Sequence, residues 1–379
     1  MAPKKPLSVT DIVSPAWCEL QYWYTLTKHG KKRRTPAMKQ GSKVHRQLEE
    51  QVHQIVPVTV QTREDGWGLK IWNVIQGLRT LRMTGLTREL EVWGLVDGQV
   101  VNGIIDELSY RAPWSEDEDA PSIHYFPMQN QDPSNQITLD EFFKNARPIH
   151  SNQSASAVST RQRKVYLTDV KTRSTHVLPK GASLLPTFYQ LMMYHRLLTA
   201  LATNQVSADT VFKRYNLDSH SPFSDAFIAE IGGLDFSSSQ ESNIIEPHSQ
   251  GMNDDTLTEL LAHNNLTSLW SLMILEFEKS IPTGSVNEVL TAEFRSQNDG
   301  ALLGRKHFQM DDRTMNQYLS SGMKWWKGER EARGVEIEDA FKCRICEFAD
   351  NCTWRKAKAE ESMERHRART RKRSEPTQS

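Results

Sequence analysis

Three charged side chains in the first half of the chain lie in or beside apolar segments, where a charge needs a partner. Asp106 ends the run VNGIID, and Asp169 and Lys171 lie one residue apart in YLTDVKT. Because side chains alternate along a strand, Asp169 and Lys171 are predicted to share one face. Two carboxylates could hold Mg²⁺, a hard cation that prefers oxygen ligands, while the lysine orients or deprotonates an attacking water.

A simpler reading of the same residues is a structural Asp–Lys ion pair on an edge strand, and the short pattern alone does not separate the two readings. Two neighbouring positions extend the metal hypothesis. His45 and Glu49 fall four residues apart on a predicted helix, so they share a helical face. Glu107, beside Asp106, should point to the opposite face of its strand.

The cysteines form a second pattern. Three of the four, Cys343, Cys346 and Cys352, fall within ten residues, and Cys18 lies far upstream. The N-terminal residues show no secretory signal and cysteine is scarce, so a disulfide framework is not expected. Clustered cysteines without a nearby histidine favour thiolate ligation of a metal over ordinary burial. The spacing leaves both a zinc site and an iron–sulfur cluster open.

These residues must be positioned by helices and strands that the hydrophobic pattern predicts. Helices are expected over 17–26, 36–54, 68–82, 183–202, 257–279 and 311–333. Strands are expected over 89–110, 164–173, 287–296 and 305–310. Within the first of these strand segments, Asp97 and Gly98 favour a type I′ hairpin turn, since both central residues must accept positive φ.

Composition suggests how the chain is divided. Its 379 residues can bury a substantial core, and no apolar run is long enough to span a membrane. One domain is predicted over 7–355, interrupted by polar insertions at about 112–163 and 237–255. A basic tail over 356–379 is expected to be disordered. Net charge is zero, but basic runs at 28–34 and 365–373 could attract phosphates or act as nuclear address signals.

The order of the polar residues resembles the RecB-type branch of the PD-(D/E)XK nucleases. That resemblance rests on Gly41-x-x-x-His45, GIID ending in Asp106, DVK with Asp169 and Lys171, and Gln190-x-x-x-Tyr194. It implies an α/β chain with the PD-(D/E)XK (RecB-like) nuclease fold, in which helices flank a mixed central sheet. Asp-x-Lys thereby gains a catalytic interpretation.

Carried over position by position, the resemblance implies a metal site. His45, Asp106 and Asp169 would be ligands, and the Val170 carbonyl would add a backbone oxygen. Glu49 would be a partner of His45 outside the ligand set. The implied ion is Mg²⁺, and the histidine ligand would suit Mn²⁺ as well.

The other matching positions imply the remaining catalytic groups. Lys171 would position the attacking water and offset charge on the scissile phosphate. Gln190 and Tyr194, four apart on one helical face, would shape the site or contact the DNA backbone.

A narrower resemblance, to the exonuclease V family of single-strand DNA exonucleases, joins the two patterns. It rests on LSVTDIVSPAWCELQYWYTL, GSKVHRQLE, GIIDEL, DVKTR and CRICEFADNC. It implies that Cys18, Cys343, Cys346 and Cys352 hold a four-iron four-sulfur (4Fe-4S) cluster that ties the N- and C-terminal ends together.

The function expected from this resemblance is metal-dependent exonuclease activity on single-stranded DNA in DNA maintenance. Alternatives are a structure-specific endonuclease and a catalytically silent nucleic-acid-binding protein of the same fold. The expected form is a monomer without membrane contact, and a single-strand-binding protein is a candidate partner. The fungal family members indicate a mitochondrial location, whereas the C-terminal basic run suits the nucleus.

Overall fold

The structure is a computed structural model, and it describes residues 6–30, 35–53, 58–114, 122–124, 163–233 and 250–374. Most of both predicted polar insertions, and residues 31–34 of the first basic run, lie outside these ranges. Within them, no helix has both the length and the apolar character required to cross a membrane.

Several helices begin behind residues whose side chains cap them. For example, the helix Arg63–Thr84 starts behind Thr62, whose hydroxyl accepts a hydrogen bond from Asp65 N, and ends at Gly85 with φ 84°. The described α-helices are α1 Val9–Val13, α2 Glu19–His29, α3 Pro36–Glu49, α4 Arg63–Thr84, α5 Leu185–Ala202, α6 Ala208–Tyr215, α7 Asp225–Gly232, α8 Gln250–Ala262, α9 Leu266–Ser280, α10 Asp312–Trp326 and α11 Thr353–Ser374. The 3₁₀ helices are Ser14–Ala16, Gly181–Leu184 and Ile337–Ile345.

The strands form one mixed sheet. They are β1 Leu7–Ser8, β2 Leu86–Val96, β3 Gln99–Ser109, β4 Ile123–His124, β5 Tyr166–Arg173, β6 Val289–Ser296 and β7 Leu302–Gln309. Their order is β1-β3-β5-β6-β7-β4, and β2 pairs with the remaining edge of β3. The pairs β1–β3, β5–β6 and β4–β7 are parallel, and the other three are antiparallel. The predicted mixed sheet with flanking helices is confirmed.

The sheet forks between β3 and β5. These strands pair only where Glu107–Ser109 meets Tyr166–Thr168. Further along β3, the same edge pairs with β1 at Val101 and Asn102, while β5 continues beside β6 as far as Arg173. A gap therefore opens in the sheet immediately beyond the last β3–β5 pair.

One large apolar cluster packs the helices against this sheet, and it includes buried side chains from α1, α4, α5, α9 and α10. Helix α4 packs on β2 and α9, and α5 packs across β2, β5 and β6. Helix α3 joins β5 through a separate small apolar cluster of Val44, Leu48 and Val170. Helices therefore approach the forked part of the sheet from two sides.

The predicted hairpin is confirmed, because Asp97 and Gly98 have φ of 49° and 75°, as a type I′ turn requires. Asp106, however, does not end its strand. The strand β3 continues to Ser109, so Asp106 lies inside it. What ends near Asp106 is the pairing with β5.

Two helix predictions differ from the structure. The single helix expected over 257–279 is two helices, since Asn265 caps the start of α9 by accepting from Ser268 N at 2.9 Å. The helix expected over 311–333 ends at Trp326, and Gly328 follows with φ 77°. Helices α6 and α7 were not predicted, although Ser207 and Ser224 cap their first turns.

The tail expected to be disordered is helical over much of its length, because α11 extends from Thr353 to Ser374. Its composition explains the helix, since Ala, Glu, Lys and Arg are strong helix formers. Glu361 also forms ion pairs with Lys358 and Arg365 on the same helix. Over residues 356–374 the structure therefore has a helix where the sequence predicts a disordered tail.

Candidate active site

The gap between β3 and β5 is where the predicted carboxylates meet. Asp106 Oδ2 accepts a hydrogen bond from Val170 N at 2.6 Å. Val170 lies beyond the last β3–β5 pair, so its N–H has no strand partner on that side. The side chain of Asp106 thereby takes the place of a backbone acceptor and fixes the carboxylate at the fork.

Asp169 is buried, with 1% of its surface exposed. Lys171 Nζ lies 2.7 Å from Asp169 Oδ2, which confirms that the two side chains share one face of β5. Apart from this ion pair, neither oxygen of Asp169 has a hydrogen-bond partner among the described residues. A buried carboxylate with so few partners destabilises the folded protein unless another cation is bound beside it.

Helix α5 supplies the next contacts. Lys171 Nζ donates to Gln190 Oε1 at 2.8 Å, and Gln190 Nε2 donates to the Tyr194 hydroxyl at 3.1 Å. Gln190 and Tyr194 lie four residues apart on α5, so one helical face carries both. The predicted Gln-x-x-x-Tyr motif thus contacts the Asp-x-Lys motif directly.

His45 reaches the same place from α3. Its Nδ1 lies 3.6 Å from Asp106 Oδ1. The glycine four residues earlier explains how α3 comes so close, because a Cβ on Gly41 would lie 2.6 Å from Thr172 Oγ1 on β5. The predicted Gly-x-x-x-His spacing therefore combines a close helix–strand contact with a side chain directed at the site.

Glu89 belongs to this group and was missed by the sequence reasoning. Its Oε1 lies 3.3 Å from His45 Nδ1, whereas no hydrogen bond or ion pair joins His45 to Glu49 among the described residues. The β2–β3 register on either side places Glu89 opposite Asp106. Ligand atoms of His45, Glu89 and Asp106 all lie within 4.8 Å of one another. A positive φ of 52° at Glu89 could not be foreseen from its residue type.

Burial and neighbouring charges shift the pKa values of the side chains in this site. Burial and the nearby Asp169 carboxylate raise the pKa of Asp106 to about 7. Burial lowers the pKa of Lys171, but Asp169 and Asp106 outweigh burial and leave that pKa raised. Burial likewise lowers the pKa of His45, and Glu89 and Asp106 reverse this into a net rise. The site therefore has a surplus of negative charge that stabilises cations.

The donor set fits a hard divalent cation. Glu89, Asp106 and Asp169 offer carboxylate oxygens, and His45 offers a ring nitrogen, in a pattern typical of Mg²⁺ or Mn²⁺ sites. The unsatisfied oxygens of Asp169 are what such an ion would stabilise.

The neighbouring carboxylate Glu107 is not part of the site. It pairs with Arg88 at 2.6 Å, and its charged neighbours are Glu293, Arg295 and Arg305. Glu293 pairs with Arg295 and Arg305, so these residues form an ion-pair group separate from the candidate site. The prediction that Glu107 points away from Asp106 agrees with these contacts.

The four cysteines line one pocket. None forms a disulfide. Cys18 directly precedes α2, Cys343 lies in the 3₁₀ helix, and Cys352 directly precedes α11. Burial raises the pKa of Cys18, Cys343 and Cys346, and neighbouring cysteine thiolates raise it further. Four converging thiols that do not form disulfides fit a metal centre held by thiolates.

Direct contacts also join the two ends of the chain near this pocket. Arg330 forms a two-pronged ion pair with Glu19, with N–O distances of 2.5 and 2.6 Å. Leu20 N donates to Arg333 O at 2.9 Å, and the Tyr318 hydroxyl donates to Ile12 O at 2.7 Å. The fold thus brings the N- and C-terminal parts together through ordinary protein contacts.

Comparison with known proteins agrees with this arrangement. Exonuclease V of Danio rerio is 25% identical over 358 residues, which cover 93% of this chain and 71% of that protein. The protein named "Exonuclease V, mitochondrial" of Candida glabrata is 23% identical over 427 residues, covering 92% of this chain and 79% of its own. That of Candida albicans (strain WO-1) is 21% identical over 472 residues, covering 95% and 75%.

A family model described as "Exonuclease V - a 5' deoxyribonuclease" matches residues 1–355. The match contains the strand fork, the α5 contacts and all four cysteines. The chain belongs to the exonuclease V family.

Proposed function

We propose that this chain hydrolyses phosphodiester bonds of single-stranded DNA from a chain end and requires a divalent metal. Family membership supports a DNA exonuclease, and the strand preference and the metal are the proposed parts. The observation that carries the proposal is Asp169, a buried carboxylate beside Asp106 whose oxygens have no partner among the described residues apart from the ion pair with Lys171.

The proposed metal ligands are His45, Glu89, Asp106 and Asp169, with the Val170 carbonyl as a further oxygen. Mg²⁺ or Mn²⁺ held there supplies an activated water and neutralises charge on the scissile phosphate. The protein's part is to hold these donors in place. Asp106 is fixed by Val170 N, and His45 is fixed by the packing of α3 on β5.

Lys171 has a separate role. Its raised pKa keeps the ammonium protonated at neutral pH, so it acts as a cation and not as a base. Asp169 and Gln190 hold Nζ from two sides, and Tyr194 in turn orients Gln190. In this position Lys171 orients the attacking water and offsets charge that builds on the phosphate.

Two further parts of the proposal concern substrate end and assembly. The family description names a 5′ deoxyribonuclease, which supports attack from the 5′ end. The protein is proposed to act as a monomer, and size-exclusion chromatography of the purified chain tests this.

The test compares variants on end-labelled single strands. Asp169→Asn and Lys171→Met are expected to lower the cleavage rate at least about 100-fold, a typical loss for groups that act in the transition state. Glu107→Gln is the matched control, because Glu107 adjoins Asp106 but contacts Arg88. It should retain cleavage provided that its melting temperature is close to that of the parent.

Retention of full cleavage by Asp169→Asn would refute the assignment of the site. A circular single strand separates the kinds of nuclease: an exonuclease leaves it intact, and cleavage of the circle would instead indicate an endonuclease.

We propose that the cysteine pocket holds a four-iron four-sulfur cluster. The convergence of Cys18, Cys343, Cys346 and Cys352 supports a metal centre, and the family resemblance favours iron and sulfide over zinc. Purified protein should be brown, with iron and acid-labile sulfide at about four each per chain. A colourless protein with one zinc would contradict this proposal without affecting the nuclease site.

We propose a mitochondrial location, because several fungal relatives are named as mitochondrial exonuclease V. A fluorescent fusion of the full transcript tests it, and exclusive nuclear signal would contradict it.

A further inference from the structure

We propose that helix α11 is a second DNA contact, an arm that binds the phosphate backbone outside the active site. The inference rests on the proposed function only in taking DNA as the substrate. It concerns where DNA is held and not how it is cut.

The charge of α11 is the first observation. From Thr353 to Thr370 the helix has six cationic side chains against three carboxylates, a surplus of three positive charges. The cations are Arg355, Lys356, Lys358, Arg365, Arg367 and Arg369, and the carboxylates are Glu360, Glu361 and Glu364. The sequence continues with Arg371, Lys372 and Arg373. A surplus of this kind attracts a polyanion, and DNA is the polyanion on which this family acts.

Exposure is the second observation. From residue 362 to 370 every side chain of α11 is exposed, and Met363 has 57% of its surface exposed. A helical segment that is exposed on all sides gains little stability from burial. Its charges are therefore accessible to a partner along this whole part of the helix.

The root of α11 is fixed. Thr353 N donates to the Tyr24 hydroxyl at 3.2 Å. Trp354 packs so closely on Gly334 that a Cβ there would lie 2.2 Å from its ring. Trp354 and Cys352 also line the cysteine pocket. The residues that fix the start of α11 therefore lie at the cysteine pocket.

Length determines the reach of the arm. At 1.5 Å per residue, the 22 residues of α11 span about 33 Å. An arm of this length, rooted at one end, can contact DNA far from the catalytic carboxylates. It should therefore affect long substrates and leave very short ones unaffected.

The experiment uses the full chain without added divalent metal and measures binding to fluorescent single strands across a salt series. The test variant combines Arg365→Gln, Arg367→Gln and Arg369→Gln, since glutamine preserves helix propensity. The matched control combines Glu360→Gln, Glu361→Gln and Glu364→Gln, which changes the same number of charges on the same helix. Circular dichroism verifies that both variants keep the helix.

With a long strand, the plot of log binding constant against log salt concentration should be shallower by about 2 in the test variant. Each of the three lost phosphate contacts contributes roughly 0.7 to that slope. The control should bind as tightly as the parent or more tightly. With a short oligonucleotide and added Mg²⁺ at low salt, the test variant should cleave at the parent rate.

An unchanged slope, or equal weakening by both variants, overturns the proposal. Loss of nuclear import with unchanged DNA binding also overturns it and makes the helix an address signal. Failure of the parent to cleave any DNA would refute the proposed function, yet a slope difference would still support the arm.

Discussion

Glu89 shows how much of the site depends on a single backbone conformation. Its φ of 52° lies in the left-handed region, which costs a non-glycine residue about 1–2 kcal/mol. Such strain persists where the surrounding structure imposes it, and it is common at functional sites. Here the result is a carboxylate opposite Asp106 and 3.3 Å from His45 Nδ1.

If Glu89 is a metal ligand, Glu89→Gln should raise the dissociation constant for Mn²⁺ about tenfold or more, as loss of a charged group at a metal site does. Titration calorimetry measures this constant without reference to cleavage. Glu91→Gln is the control, because Glu91 lies two residues later on β2 and pairs with Lys70 at 2.6 Å. Equal Mn²⁺ affinities in the two variants would exclude Glu89 as a ligand.

The raised pKa of Asp106, about 7, predicts pH-dependent metal binding. Below that pH a proton competes with the metal, so apparent affinity should fall by up to about tenfold per pH unit. His45 acts in the same direction, because its protonated ring cannot ligate. Calorimetry across this range in two buffers reports both affinity and proton release.

The raised pKa of Asp106 strengthens metal binding as pH rises, but it makes the metal-free protein less stable as pH rises. The folded protein retains the Asp106 proton up to about pH 7, whereas the unfolded chain loses it near 3.8. The contribution of this group to stability therefore declines as pH rises through that window. Asp106→Asn should flatten this decline in a thermal melting series, and identical pH profiles would contradict the shifted pKa.

At the scale of elements, the site depends on how closely α3 approaches β5. Gly41 permits that approach, and Val44 and Leu48 pack on Val170 to maintain it. The contacts of Gly41, Val44 and Leu48 with β5 therefore position His45.

Gly41→Ala should displace α3, because the new Cβ would lie 2.6 Å from Thr172 Oγ1. We expect a stability loss of about 1–3 kcal/mol and weaker metal binding through His45. Removal of the clashing oxygen by Thr172→Ala in the same chain should restore both, since Thr172 Cβ lies at an ordinary 3.7 Å. Additive losses in the double variant would show that this contact does not set the position of α3.

At the scale of the whole molecule, the described residues bring the chain ends together in at least two ways. One is the cysteine pocket, in which Cys18 lies beside the C-terminal cysteines and where the proposed cluster would link them. The other is the ion pair of Glu19 with Arg330, together with the backbone bond from Leu20 to Arg333. The second link requires no metal.

If the pocket holds the proposed cluster, Cys18→Ser should lose it and lower the melting temperature but keep a folded nuclease domain, visible as unchanged far-ultraviolet circular dichroism. A cross-link that closes so long a loop is worth on the order of 6 kcal/mol in the chain-entropy model. Glu19→Gln should instead retain metal content while losing some stability. If Cys18→Ser unfolded the chain outright, the protein contacts would not suffice to hold the ends.

Much of the site could be predicted because its residues lie in short motifs on helices and strands that the hydrophobic pattern predicts. Alternation along β5 placed Asp169 beside Lys171, and helical spacing placed Gln190 beside Tyr194. The Asp97-Gly98 turn set the hairpin that carries Asp106. The split between α8 and α9 was missed because apolar residues continue across it, and only Asn265 marks the new start.

The sequence by itself determined which groups could do chemistry and which elements carry them, because residue type and periodicity are local properties. Only the tertiary structure decided that β3 leaves β5 at Asp106, that Glu89 joins His45, and that Glu107 faces an arginine group. Those outcomes depend on how strands from distant parts of the chain pair and separate. Sequence spacing does not encode that pairing, because it results from packing of the whole core.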